Sequence, residues 1–209
     1  MSAKSPDLHA AYALKTPDDS RRLYADWAKS YDSDFVAGSD YQLHQHAARA
    51  FVAAGGSGPV LDVGAGTGAC GLALAEQGAG PIDATDISAE MLEQARAKGV
   101  YRHLFEADLT EGPPTRDHTY NGIVSSGTFT TGHVGPDAID NLLPIARSGA
   151  VFSLSVNRLH YESAGFAGKF RALEGQITAP DLIEVAIYGP AATGPNKDDR
   201  AFLAVFRKL

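Results

Sequence analysis

Val60-Leu61-Asp62-Val63-Gly64-Ala65-Gly66-Thr67-Gly68 joins a short apolar strand, a glycine-rich turn and a helix start. A carboxylate, Asp62, stands two residues before the first glycine. Glycine reaches backbone conformations closed to other residues and lets a ligand approach the main chain. In open α/β sheets, such a loop at the carboxyl end of a parallel strand is where nucleotide-like ligands bind.

Outward from this stretch the chain alternates strand and helix. The pattern predicts strands over 59–63, 81–86, 101–107, 120–125 and 150–156. It predicts helices over 69–77, from the N-cap Ser88 to about Lys98, over 137–146 and over 161–173. Such alternation calls for a parallel sheet covered on both faces. The end differs: 182–188 and 201–206 alternate as strands around a Gly/Pro/Asp-rich connector, so they are expected to pair antiparallel. Before the loop, 18–31 and 41–54 are predicted helices, the second ending at Gly55-Gly56. They are expected to cap the sheet, behind a polar tail that ends near Thr16. The organisation predicted is a single domain over 1–209, with tail and cap in 1–56 and core in 57–209.

Composition narrows the function. The chain has 209 residues, 44% hydrophobic and 21% charged, with a net charge of -7. No long basic run is present, so nucleic acid and anionic membrane surfaces are not expected as partners. No apolar run approaches a membrane span, and the first residues lack a signal-peptide core, so a cytoplasmic location is expected. Cys70 is the single cysteine, which leaves no disulfide framework; it is read as a small core residue. His44 and His46 lie two apart on a helix and face different ways, so no metal site is expected.

The glycines are ambiguous. Gly66-Thr67-Gly68-Ala69-Cys70-Gly71 also fits the dinucleotide pattern, with Asp86 about twenty residues on. By spacing alone an NAD-dependent oxidoreductase fits. Charge separates the two. A pyrophosphate on the loop favours backbone N–H groups, and the Asp62 carboxylate works against it. S-Adenosylmethionine has no phosphate and carries a cationic sulfonium and amino group. Asp62 suits that cation. Asp86, at the second strand's end, can accept from both ribose hydroxyls. Asp108 can accept from the adenine amino group, and the Leu109 N–H can donate to a ring nitrogen.

These residues resemble the class I S-adenosylmethionine-dependent methyltransferases, through residues 62–68, Thr85-Asp86-Ile87-Ser88, Met91-Leu92 and Ala107-Asp108-Leu109. The likeness extends to the methyltransferase-like group named after the Williams–Beuren syndrome region. It rests on Trp27-Ala28-Lys29-Ser30-Tyr31-Asp32, Lys98-Gly99-Val100-Tyr101, Gly127-Thr128-Phe129-Thr130, Gly132-His133-Val134-Gly135-Pro136, and Ser155-Val156-Asn157 with His160-Tyr161-Glu162. The resemblance implies a Rossmann-like three-layer sandwich: a seven-stranded, mostly parallel sheet with an antiparallel last strand. It implies that Asp62, Gly64, Ala65, Gly66, Thr67 and Gly68 hold the methionine end of S-adenosyl-L-methionine. Asp86 would hold the ribose, Asp108 and Leu109 the adenine, and Ile87 and Met91 would pack on the adenine faces. Tyr31 would close over the methionine end, and Ser126 is counted with the cofactor set. Two departures stand out: Ser148-Gly149 where a Pro-Gly-Gly turn is common, and Thr131 where relatives often have histidine.

His133 follows the fourth strand and is the candidate general base; hydrogen bonding to its own loop is the plainer alternative. Trp27 is expected to pack the cap on the core. Asn157, His160 and Tyr161 could line the substrate pocket. The expected activity is methyl transfer to a small-molecule acceptor through an O, N or S nucleophile. The rivals are the NAD enzyme and a non-catalytic S-adenosylmethionine-binding module; aminopropyl transfer is disfavoured because no acidic cluster suits a polyamine. The sequence leaves the acceptor's identity and the oligomeric state open.

Overall fold

The computed structural model describes residues 10–11, 14, 16–112, 114–115 and 119–209. Most of the expected polar tail, and part of the loop expected over 112–117, lie outside the described residues. The opening strand, β1 (Val60–Val63), is buried at every position. It lies between β2 (Ile82–Asp86) and β4 (Tyr120–Phe129), parallel to both. With β3 (Tyr101–Glu106), β5 (Ala146–Asn157), β6 (Asp181–Ala186) and β7 (Arg200–Arg207) it forms a seven-stranded sheet in the order β3-β2-β1-β4-β5-β7-β6. β7 runs antiparallel to both neighbours, so the expected antiparallel last strand is present. The strand order reverses at β1 and β4. Their carboxyl ends therefore open the crevice where such sheets take ligands.

Strand alternation sends side chains to two separate cores. Leu61, Ile123 and Phe152 face one, with α5 (Ala138–Leu142) and α7 (Phe166–Ala172) over it. Val60, Val124 and Val151 face the other, beneath α2 (Leu43–Ala53) and α3 (Ala69–Glu76). Three layers result. Cys70 lies buried in the second core with its thiol 3.9 Å from the His44 carbonyl oxygen, and burial pushes that thiol well above its ordinary value. Between β2 and β3, α4 (Ala89–Ala97) starts at Ser88, whose hydroxyl accepts the Met91 N–H at 3.2 Å. That is the cap expected from the sequence.

Three predicted helices and the bounds of β4 and β5 differ from expectation. The helix expected over 161–173 is two: α6 (Arg158–Ser163), capped by Asn157, and α7. Gly165 between them has φ +85°, a left-handed conformation that ends a helix. The helix expected over 137–146 gives way after α5 to a tight turn, Leu143–Ile145, at Pro144. In the cap, α1 (Pro17–Trp27) stops short of Tyr31, and a wide π-helical segment, Asp32–Ala37, follows. Its signature is the five-residue hydrogen bond from the Gly38 N–H to the Ser33 carbonyl. The cap reaches the far sheet edge, where the Gln42 N–H donates to the Ile187 carbonyl at 2.9 Å. Among the described residues, no helix is long and apolar enough to cross a membrane.

Candidate active site

A cavity of about 310 Å³ lies at the carboxyl ends of β1 to β4, beneath the cap. The glycine loop after β1 forms its floor. Gly64 has φ +65°, and a Cβ there would collide with the Thr128 side chain, which donates to the Val63 carbonyl at 3.0 Å. The loop is tied to the next strand by one carboxylate. Asp86 accepts the Gly66 N–H on Oδ2 at 2.8 Å and the Ser88 N–H on Oδ1 at 2.9 Å. Burial raises the Asp86 carboxyl, and these backbone hydrogen bonds oppose the rise.

Asp86, Ile87 and Met91 line the cavity together with Gly64 and Gly66. Asp108 and Leu109 line it from the turn after β3. Asp108 Oδ1 accepts from the Thr110 N–H at 2.9 Å and from the Thr110 hydroxyl at 2.6 Å, and its Oδ2 lies 3.7 Å from Arg21. Tyr31 and Ser126 complete the expected set on the wall, with the Ser126 hydroxyl 3.2 Å from that of Tyr41. His133 is on the wall as well, with Nε2 2.7 Å from the Tyr24 hydroxyl and Nδ1 3.1 Å from the Thr131 carbonyl. The plainer alternative, a loop hydrogen bond, therefore uses one of its nitrogens and Tyr24 the other.

Ala65, Thr67 and Gly68 of the loop, and Asp62 before it, are not among the described lining residues. Asp62 is fully buried. Tyr101 donates to its Oδ2 at 2.7 Å, and its Oδ1 has no partner among the described residues. Gly71, third glycine of the ambiguous pattern, leaves the space that the Tyr101 ring fills. Its role here is close packing under the loop. Thr67 donates to Asp32, and Lys98 reaches the other oxygen of Asp32 at 2.5 Å. The cap is thereby fastened to both the loop and the end of α4.

Residues 60–148 match the family model described as a methyltransferase domain. Human methyltransferase-like protein 27 is 31% identical over 168 residues, covering 75% of this chain and 67% of that protein. The chain belongs to the S-adenosylmethionine-dependent methyltransferases. A TehB-like methyltransferase from Corynebacterium glutamicum superposes with a TM-score of 0.61 at 18% identity, over 90% of this chain and 99% of that one. The N-methyltransferase NodS from Bradyrhizobium japonicum, solved with S-adenosylhomocysteine, gives 0.57 at 18% identity, over 79% and 85%. A ribosomal protein L11 methylase from Lactobacillus delbrueckii gives 0.52 at 23% identity, over 80% and 78%. These solved structures share the fold.

The cavity of this methyltransferase fits S-adenosyl-L-methionine by its charge. Among its described lining residues are the carboxylates Asp86 and Asp108 and no lysine or arginine. A cationic, phosphate-free nucleoside suits that wall, and a pyrophosphate does not. The sequence pointed to about half of the wall; among the residues it missed are Thr16, which caps α1, and Pro17, Ser20 and Tyr24 of α1. The helical spacing of Tyr24, Trp27 and Tyr31 was the available signal. The thread of aromatic contacts from Tyr24 through Trp27 and Tyr31 now gives it a location.

Asp62 is expected to give the methyltransferase a measurable pH dependence of stability. Burial pushes its carboxyl up from 3.8 to about 7, against the opposing hydrogen bond from Tyr101. A carboxyl raised in the fold contributes its full stability below the unfolded value and loses it as pH rises to the folded one. The Asp62→Asn variant has no such loss. Between about pH 5 and 7 its urea stability is expected to gain on the wild type by roughly 1.4 kcal/mol per pH unit. Parallel stability curves across that interval would show that Asp62 stays ionised.

Proposed function

We propose that the methyltransferase transfers the methyl group of S-adenosyl-L-methionine to a small-molecule acceptor through an O, N or S nucleophile. The observation that carries this reading is the cavity wall, closed by the cap, with Asp86 and Asp108 and no lysine or arginine among its described lining residues. A nucleic-acid acceptor calls for a basic track along its phosphates, and a net charge of -7 opposes one. The chain acts as one unit over 1–209, with tail and cap within 1–56 and the core over 57–209, in the cytoplasm.

The cofactor supplies an activated methyl group, so the protein's own work is binding, alignment and exclusion of water. In this reading Asp86 accepts from the ribose hydroxyls. Asp108 and the Leu109 N–H hold the adenine edge, with Ile87 and Met91 against its faces. The loop from Gly64 to Gly68, with Ala65, Gly66 and Thr67, holds the methionine end, and Asp62 beneath it, in its ionised form, balances the positive charge through the field rather than by contact. Tyr31 and Ser126 close the far side. His133 receives a proton from acceptors that must lose one.

Calorimetry with S-adenosylhomocysteine and with NADH tests the ligand, and release of S-adenosylhomocysteine across phenols, thiols, amines and carboxylates tests turnover. Tight S-adenosylhomocysteine binding, silence with NADH and turnover of at least one class are expected. Binding without turnover on any class would favour a non-catalytic module; NADH binding alone would reverse the reading.

A further inference from the structure

We propose that a second pocket beside the cofactor cavity takes an uncharged phenol, and that Tyr24 relays the phenol's proton to His133 during methyl transfer. This rests on the methyl-transfer reading above. The two cavities meet at a shared wall of Tyr24, Tyr31, Gly127 and His133. Past that wall the smaller pocket is bounded by the rings of Tyr24, Trp27, Tyr31, Phe35, Tyr41 and Tyr188. The rings form a continuous series, with centroids 5.0 Å apart for Trp27–Tyr31, Tyr31–Phe35 and Phe35–Tyr41, and 6.0 Å for Tyr41–Tyr188. No Asp, Glu, Lys or Arg is among its described lining residues.

That lining selects the acceptor. A flat apolar ring gains offset and edge-to-face contacts with such a wall. An acceptor that brings a full charge loses hydration and meets no counter-charge. The Trp27 indole N–H is buried in this wall with no acceptor among the described residues, so a polar ring substituent has a donor available.

The proton path follows from the tautomer. A carbonyl oxygen only accepts, so His133 Nδ1, 3.1 Å from the Thr131 carbonyl, carries the proton. Nε2 is then the bare nitrogen, and the Tyr24 hydroxyl donates to it at 2.7 Å. Tyr24 therefore stands as the group that accepts from the incoming hydroxyl. Burial holds the imidazole below its ordinary value, with His160 adding to the effect and the Thr131 hydrogen bond opposing it, so it is neutral and able to take a proton at neutral pH. In the step, an O–C bond forms between the phenol oxygen and the methyl carbon as the S–C bond breaks. The S–C electron pair stays on sulfur and cancels its positive charge. The phenol proton passes to Tyr24 Oη while the proton of Tyr24 passes to His133 Nε2. The products are the aryl methyl ether, S-adenosylhomocysteine and a His133 imidazolium that later returns its proton to water.

The chain has one tryptophan, and it lines this pocket, so its emission reports filling. S-Adenosylhomocysteine binding is first measured by calorimetry; absence of binding there overturns the methyl-transfer reading itself. The loaded protein is then titrated with p-cresol, benzylamine and benzoate. Saturable change of Trp27 emission with p-cresol is expected, with the charged compounds about tenfold weaker or more. Emission unmoved by p-cresol, or tighter binding of either charged compound, overturns the substrate class. Tyr24→Phe and His133→Gln are both expected to keep the p-cresol signal and to lose methyl transfer to it by about a hundredfold. The Gln variant still accepts from Tyr24 but takes no proton. Either folded variant methylating p-cresol within about twofold of the wild type overturns the relay.

Discussion

Asp86→Ala is expected to weaken S-adenosylhomocysteine binding by about a hundredfold or more while the sheet stays folded. One carboxylate holds two backbone donors, the Gly66 and Ser88 N–H groups, from loops that follow adjacent strands. In the proposed site its remaining lone pairs face the ribose hydroxyls. Each hydrogen bond to a charged group contributes about 1.5–3 kcal/mol. Two lost to the ligand correspond to at least two orders of magnitude, before the loosened loop is counted. The fold is expected to survive because the Gly66 N–H lies on the cavity wall, where water can replace the carboxylate, and only the buried Ser88 N–H is left bare. Calorimetry measures the affinity, and circular dichroism with a thermal melt checks the fold. Unchanged affinity would remove Asp86 from the site. Asp86→Asn keeps one accepting oxygen but turns an amide N–H toward one of the two backbone donors, so a loss close to that of alanine is expected.

Arg102→Met should cost about 2–3 kcal/mol at neutral pH. Asp83 lies within β2 with no exposure. Its carboxylate accepts from Arg102 Nε at 2.9 Å and Nη2 at 2.8 Å, from the Tyr120 hydroxyl at 3.0 Å and from the His103 N–H at 3.2 Å. Burial acts to raise the carboxyl, and the hydrogen bonds from Arg102 and Tyr120 outweigh it, so its value falls below the ordinary one. Breaking a buried pair costs about 3–5 kcal/mol. The Arg102 side chain is 41% exposed, so solvent screening places the cost at the lower end or beneath it. The sign with pH follows. A carboxyl depressed in the fold contributes stability above its unfolded value and loses it as pH falls through the folded value. The gap between wild type and Arg102→Met is therefore widest near neutrality and closes on acidification toward about pH 3. Urea unfolding at both pH values checks this; an equal gap at the two would mean that Arg102 acts through packing alone.

How much of this was legible in the chain depends on how local each signal is. β1, its loop and α3 could be placed because a buried strand, three glycines and an apolar helix follow one another without interruption. Ser88 announced α4 through its own side chain. Gly165 did not announce a break, since Phe166 and Phe170 continue the apolar spacing of the residues before it and only the backbone conformation separates α6 from α7. The π-helical turn after Trp27 was hidden for the same reason. At the site, Asp86, Asp108 and Leu109 could be found because they sit at strand ends. Asp62 illustrates the limit. Leu61 and Val63 both face one core, so strand alternation turns Asp62 to the opposite side, toward Tyr101. What fills that side is decided by a strand thirty-odd residues away. Tyr24 is the same case at longer range, since its partner His133 is 109 residues distant.

Asp32 also bears on the order in which the protein is assembled. Its partners are Thr67 and Lys98, and the same cap donates to Ile187 and pairs Tyr41 with Tyr188. A ribosome delivers the N-terminal segment first. The cap thus emerges before every surface on which it settles, and its last seat arrives only with β7, where Arg207 donates to the Ala54 carbonyl. A segment translated before the core can therefore seat only after β7 exists, and both cavities need it as a wall.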